Sequence, residues 1–122
     1  MKFYRCKECH KIIAVADDEL NIGQNNCNME EVIPNTVEAS KEKHIPVVTV
    51  EGNIVKVCVG EVSHSMLEEH HIAWIILQTK FGNQRVTLSP NHEPVAEFAL
   101  LPGDEVIRAI AYCNIHGLWS NN

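Results

Sequence analysis

The chain has 122 residues, 45% of them apolar and 21% charged, with a formal net charge of −6. A chain of this size buries roughly two thirds of its unfolded surface, so it has enough core to fold without disulfides. The longest apolar run, Ile72 to Leu77, is six residues, far short of the roughly 18 to 20 that span a membrane. The N-terminus, MKFYRCKECH, lacks the apolar core of a secretory signal. Ten Lys plus Arg against sixteen Asp plus Glu argue against nucleic acid as a partner, because phosphate contacts need clustered basic residues.

Seven His and five Cys stand out from this background. An odd Cys count without a signal peptide argues against a disulfide framework and for a reducing cytoplasm. Imidazole and thiolate together are the usual ligands of transition metals.

Two zones follow in chain order. Residues 1–35 hold Cys6, Cys9 and Cys27 around an apolar stretch, Ile12 to Val15, with little apolar periodicity. A piece this small rarely folds alone without a metal or a partner surface. Pro34 and Asn35 mark the boundary. In residues 36–122, Thr36 to Lys43 reads as a short helix capped by Asn35 or Thr36. Strand-like runs rich in Val and Ile come next: Pro46 to Glu51, Ile54 to Val59, Ile72 to Lys80, Gln84 to Ser89, Val95 to Leu101 and Glu105 to Cys113. Gly52-Asn53, Gly82-Asn83 and Pro102-Gly103 separate some of them as turns. Val55, Val57 and Val59 share one face of their strand and Lys56 lies on the other. The pattern predicts an all-β domain, a β-sandwich.

Four features in the second zone carry chemistry. They are Glu42-Lys43-His44, His64, Glu69-His70-His71 and Cys113-Asn114-Ile115-His116-Gly117. His64 and His70 flank a loop. Cys113 ends the last predicted strand, and Cys-x-x-His is a natural chelate because a tight turn aims both side chains at one point. Structural zinc sites and chance also produce that spacing. A single loop His is usually only solvated or hydrogen-bonded. Four His and a Cys near strand ends, where a scaffold brings loops together, make a joint pattern.

The segments Glu42-Lys-His-Ile-Pro-Val47, His64-Ser-Met-Leu-Glu-Glu-His-His-Ile-Ala-Trp-Ile75 and Tyr112-Cys-Asn-Ile-His-Gly-Leu-Trp119 resemble the desulfoferrodoxin and neelaredoxin family of non-haem iron superoxide reductases. Their order and spacing fit from residue 36 to the C-terminus. The resemblance implies an immunoglobulin-like β-sandwich with one iron. Its planar ligands would be His44, His64, His70 and His116, and Cys113 its axial thiolate. Five ligands leave one octahedral position open, which argues for iron over tetrahedral zinc. Neutral imidazoles and one thiolate give a ferrous site of charge about +1, attractive to superoxide. The implied reaction converts superoxide, one electron and two protons to hydrogen peroxide, a defence that suits an anaerobe. By the same resemblance, Glu42 closes the open position in the oxidised state. Lys43 would attract superoxide and orient a proton-donating water. His71 reads as a neighbour of the site or a surface residue, His92 as solvated, and Cys58 as a packed, inert thiol. The family also implies rubredoxin as electron donor and a homodimer.

Residues 1–35 resemble the small desulforedoxin-like domain of two-iron members, whose four Cys come as Cys-x-x-Cys and a later Cys-Cys pair. Cys6-Lys-Glu-Cys9 matches the first unit. The second reads Asn26-Cys27, so one thiolate is missing, and His10 stands where a Gly usually follows. Three outcomes stay open: an empty vestige, iron or zinc on Cys6, Cys9, Cys27 and a fourth ligand, or a Cys27 disulfide. Loss of the normal iron is favoured, because an amide oxygen replaces a thiolate poorly. Two other functional classes remain: an electron-transfer protein without substrate turnover, and a structural zinc protein built on Cys6, Cys9 and Cys27.

Overall fold

The alternating Val and Ile runs become strands in the computed structural model, which describes residues 1–15 and 28–122. These fall into two compact units, Met1–Ile33 and Pro34–Asn122.

In the first unit, β1 (Lys2–Cys6) lies between β2 (Ile12–Val15) and β3 (Met29–Val32), and both pairings are antiparallel. The weak periodicity here hid three strands. Among its described residues, Phe3, Tyr4 and Val15 are the buried hydrophobics. Arg5 pairs in register with Glu30, and their side chains meet at 3.3 Å. Both are exposed, so that pair adds only a fraction of a kcal/mol, about 0.5.

The second unit is the predicted sandwich. One turn of helix, α1 (Lys41–His44), precedes β4 (Pro46–Glu51) and β5 (Ile54–Val59). The chain continues through β6 (Ile72–Thr79), β7 (Gly82–Thr87), β8 (Val95–Ala99), β9 (Val106–Cys113) and β10 (Gly117–Ser120). One antiparallel sheet has the order β4-β5-β8 and the other β10-β9-β6-β7. Alternation sends Val55, Val57 and Val59 of β5 and Ala96 and Phe98 of β8 inward. They meet Ile72, Ile75 and Leu77 of β6 and Ala109, Ala111 and Cys113 of β9. Each fully buried Ile or Leu here contributes about 2 kcal/mol.

Three expectations need correcting. Helix forms only over Lys41–His44, because Asn35 adopts a left-handed φ of 64° and is tied to β10. Its side chain donates to the Ser120 carbonyl and accepts from the Ser120 amide, both at 2.9 Å. A further strand, β10, follows the Cys-x-x-His turn; Gly117, at φ 79°, supplies the left-handed residue that starts it. Cys58 is half-buried rather than packed in the core: it sits one step out of phase with Val57 and Val59, on the face of Lys56.

Candidate metal centre

The sandwich puts five polar side chains at the ends of its strands. His44 closes α1, His64 lies in the loop after β5, and His70 lies just before β6. Cys113 is the last residue of β9, and His116 sits in the turn to β10. Each of the five offers one ligand atom, and these atoms all lie within 4.8 Å of one another. Among the described residues this is the group of His, Cys and carboxylates able to hold a metal.

Backbone groups hold the set in place. Gly60 lets α1 approach β5: a Cβ there would lie 2.5 Å from the Glu42 carbonyl oxygen. That carbonyl accepts the Val62 amide at 3.0 Å, and His64 donates its own amide to Val59 at 3.0 Å. The His44 ring stacks on Trp119 with centroids 4.8 Å apart. Trp119 is fully buried and donates its indole N–H to the His116 carbonyl at 3.1 Å. One tryptophan therefore supports two members of the set.

The hydrogen bonds also fix which nitrogens face inward. His44 Nδ1 lies 2.6 Å from the Ser40 carbonyl and His64 Nδ1 2.6 Å from the Ser65 carbonyl. A carbonyl only accepts, so each Nδ1 carries the proton and each Nε2 presents a lone pair. Those two Nε2 atoms are 3.1 Å apart, and His44 Nε2 is 3.1 Å from His116 Nδ1. Lone pairs facing at that distance repel unless they share a cation. Protonation is an expensive way to supply one. Burial pushes the imidazoles of His44 and His70 below the ordinary histidine value, and that of His64 down to about 4. His70 Nε2 is buried with no hydrogen-bond partner. Burial pushes the Cys113 thiol up, while the His116 and Ile115 amides pull it partly back. The His116 amide donates to Cys113 Sγ at 3.3 Å. Three imidazoles that burial holds neutral, the His116 ring beside them and a buried sulfur that only a cation would keep ionised fit the donor set of a transition metal.

The remaining candidates fall outside this cluster. Glu42 and Lys43 are exposed on the turn that ends at buried His44. His71 is half-buried, its ring Nδ1 3.0 Å from the Leu67 carbonyl. His92 is exposed. In the first unit, Cys6 and Cys9 share a turn in which the Cys9 amide donates to Cys6 Sγ at 3.4 Å. Cys6 also holds the amides of its own turn, with Cys6 N–H bonded to Lys11 and His10 N–H to Cys6. Cys27 and Asn26 lie outside the described residues.

A family model for desulfoferrodoxin matches residues 36–122. The chain belongs to the desulfoferrodoxin family. A desulfoferrodoxin homolog of Archaeoglobus fulgidus is 40% identical over 124 residues, covering 99% of this chain and 96% of that protein. The desulfoferrodoxin of Syntrophotalea carbinolica is 41% identical over 126 residues, covering 99% and 95%. The crystal structure of the superoxide reductase from Treponema pallidum superposes with a TM-score of 0.80. It is 39% identical and covers 99% of this chain and 98% of its own. The superoxide reductase (1Fe-SOR) from Giardia intestinalis is 38% identical with a TM-score of 0.55, but covers only 66% of this chain against 96% of its own. The immunoglobulin-like sandwich implied by the resemblance agrees with these neighbours.

Two supports of this desulfoferrodoxin-type centre escaped the sequence reading. One is the pair of backbone acceptors at Ser40 and Ser65, which no side-chain identity encodes. The other is Trp119. Its signal was present, since a buried indole N–H needs a partner, and it stands three residues after His116.

Proposed function

We propose that this chain is a superoxide reductase that acts at a mononuclear non-haem iron held by His44, His64, His70, His116 and Cys113. The convergence of four imidazoles and one sulfur within 4.8 Å carries the reading. The iron, when bound, supplies the reducing electron and an open position for the anion. The chain's own residues do the rest. Burial keeps His44 and His64 neutral against the opposing pull of the Ser40 and Ser65 carbonyls, so the site's charge stays near +1 and favours an anion. Cys113 lies beneath a protein wall, 0% exposed, which keeps water from its sulfur. Exposed Lys43 supplies a cation beside His44 that draws superoxide in and orients a water to deliver protons. Glu42 is the carboxylate available to close the open position between turnovers.

One superoxide, one electron and two protons give one hydrogen peroxide, and no dioxygen forms. An external one-electron donor must restore the electron each cycle, and a rubredoxin is the donor proposed. The protein is further proposed to be cytoplasmic and homodimeric. No helix among the described residues is long and apolar enough to cross a membrane. Residues 1–35 are proposed as a desulforedoxin-like domain that has lost its four-Cys iron, with residues 36–122 as the reductase domain. A second iron or zinc on Cys6, Cys9 and Cys27 is not favoured.

The test is stopped-flow reaction of the reduced, iron-loaded protein with superoxide. The reading expects one peroxide per protein oxidised and no dioxygen. It also expects azide or cyanide to perturb the ferric spectrum. Reduction of superoxide without saturable anion binding would favour a simple electron carrier instead.

A further inference from the structure

We propose that Asn114 is a positioning residue that fixes His70 relative to Cys113, a proposal that rests on the ligand set just described. His70 differs from its partners. His44 and His64 each anchor the ring through Nδ1 to a carbonyl, at 2.6 Å in both cases. The contacts that hold His70 run through the backbone instead: its amide donates to Leu67 at 3.2 Å and its carbonyl accepts from Leu67 at 2.9 Å. Its inward nitrogen, Nε2, is the buried atom without a hydrogen bond.

Asn114 grips the chain on both sides of that residue. Its Oδ1 accepts the His71 amide at 2.8 Å, and its Nδ2 donates to the Glu69 carbonyl at 3.1 Å. Its own amide donates to the His71 carbonyl at 3.1 Å. Asn114 directly follows Cys113, whose sulfur receives the His116 amide. The loop bearing His70 and the turn bearing Cys113 and His116 are therefore riveted as one piece by three hydrogen bonds. An asparagine suits this place because one side chain must both accept and donate. It is exposed, so its substitution leaves no cavity. No outer hydrogen-bond partner holds the His70 ring among the described residues, and a backbone clamp takes over the orienting role that such partners usually play.

The test compares Asn114→Ala, Asn114→Asp and Asp104→Ala with the parent, all iron-loaded. Asp104 is a matched control: its Oδ1 accepts two backbone amides, Phe81 at 3.0 Å and Glu105 at 2.9 Å, beyond the opposite end of β9 from Cys113. The readouts are the rate of iron release to a chelator, the thiolate-to-iron absorption and the thermal midpoint. Asn114→Ala is expected to release iron about 10 to 100 times faster and to shift and broaden the absorption. Asn114→Asp keeps the acceptor for His71 but loses the donor to Glu69, and should fall between. Asp104→Ala should lower the midpoint but leave release and absorption as in the parent. Parent-like iron release in Asn114→Ala, or equal acceleration in Asp104→Ala, would overturn the proposal and leave the ligand set standing. A parent that takes up no iron would overturn both.

Discussion

Cys6 and Cys113 are handled in opposite ways by the two units. In the first unit the Cys6 thiol is drawn down by the Cys9 amide and side chain, at a turn whose second cysteine is exposed. In the second, Cys113 is fully buried and its thiol is pushed up. An exposed turn rich in amide donors tolerates a thiolate with nothing bound. A buried sulfur facing four imidazole nitrogens does not; it needs a cation to be ionised at neutral pH. The Cys6 turn thus needs no bound cation, whereas Cys113 sits in a cluster suited to a metal.

The largest expected effect breaks the comparison on its second side. Cys113→Ser should abolish thiolate-to-iron absorption and slow superoxide reduction at least about 100-fold, more than loss of an outer partner costs. Cys6→Ser should change neither. Visible spectra and stopped-flow rates on both variants check this. The first side is probed by restoring the missing thiolate. Asn26→Cys is expected to add a second iron with sulfur-only absorption, read by metal analysis, while the parent shows none.

A smaller effect concerns pH. Burial holds His44, His64 and His70 neutral, with His64 near 4 against 6.5 for a free histidine. The unfolded chain takes protons below 6.5 that the folded chain refuses. Stability of the iron-free protein is thus fully present above pH 6.5 and is lost as pH falls from there towards 4. For His64 alone the loss is of order 2–3 kcal/mol. Denaturant melts across that window measure it, and a flat profile would contradict it. The smallest effect lies in the first unit. His10 adopts a φ of 62°, a conformation that costs a side chain about 1 kcal/mol and glycine little. His10→Gly should stabilise the first unit by about that amount, seen as slower amide exchange in β1 and β2.

Sequence and structure agree where side-chain alternation does the work. Strands β5 and β8 announce themselves because Val55, Val57 and Val59, and Ala96 and Phe98, recur at every second place and face the core. The five clustered residues were readable because loops at strand ends converge. Three things were not legible. Strand β10 has four residues with Leu118, Trp119 and Ser120 all buried, so it shows no alternation. Strand β1 likewise buries Phe3 and Tyr4 in succession. The inward tautomers of His44 and His64 depend on carbonyls of Ser40 and Ser65, which any residue would supply. The clamp at Asn114 depends on which loop the fold brings beside Cys113, information that appears only with the tertiary structure.

The most direct test of the central claim is the iron and zinc content per chain of protein purified without added metal. The account predicts one iron and no zinc, held by His44, His64, His70, His116 and Cys113. A chain that takes up no iron, even when loaded anaerobically with ferrous salt, would contradict it.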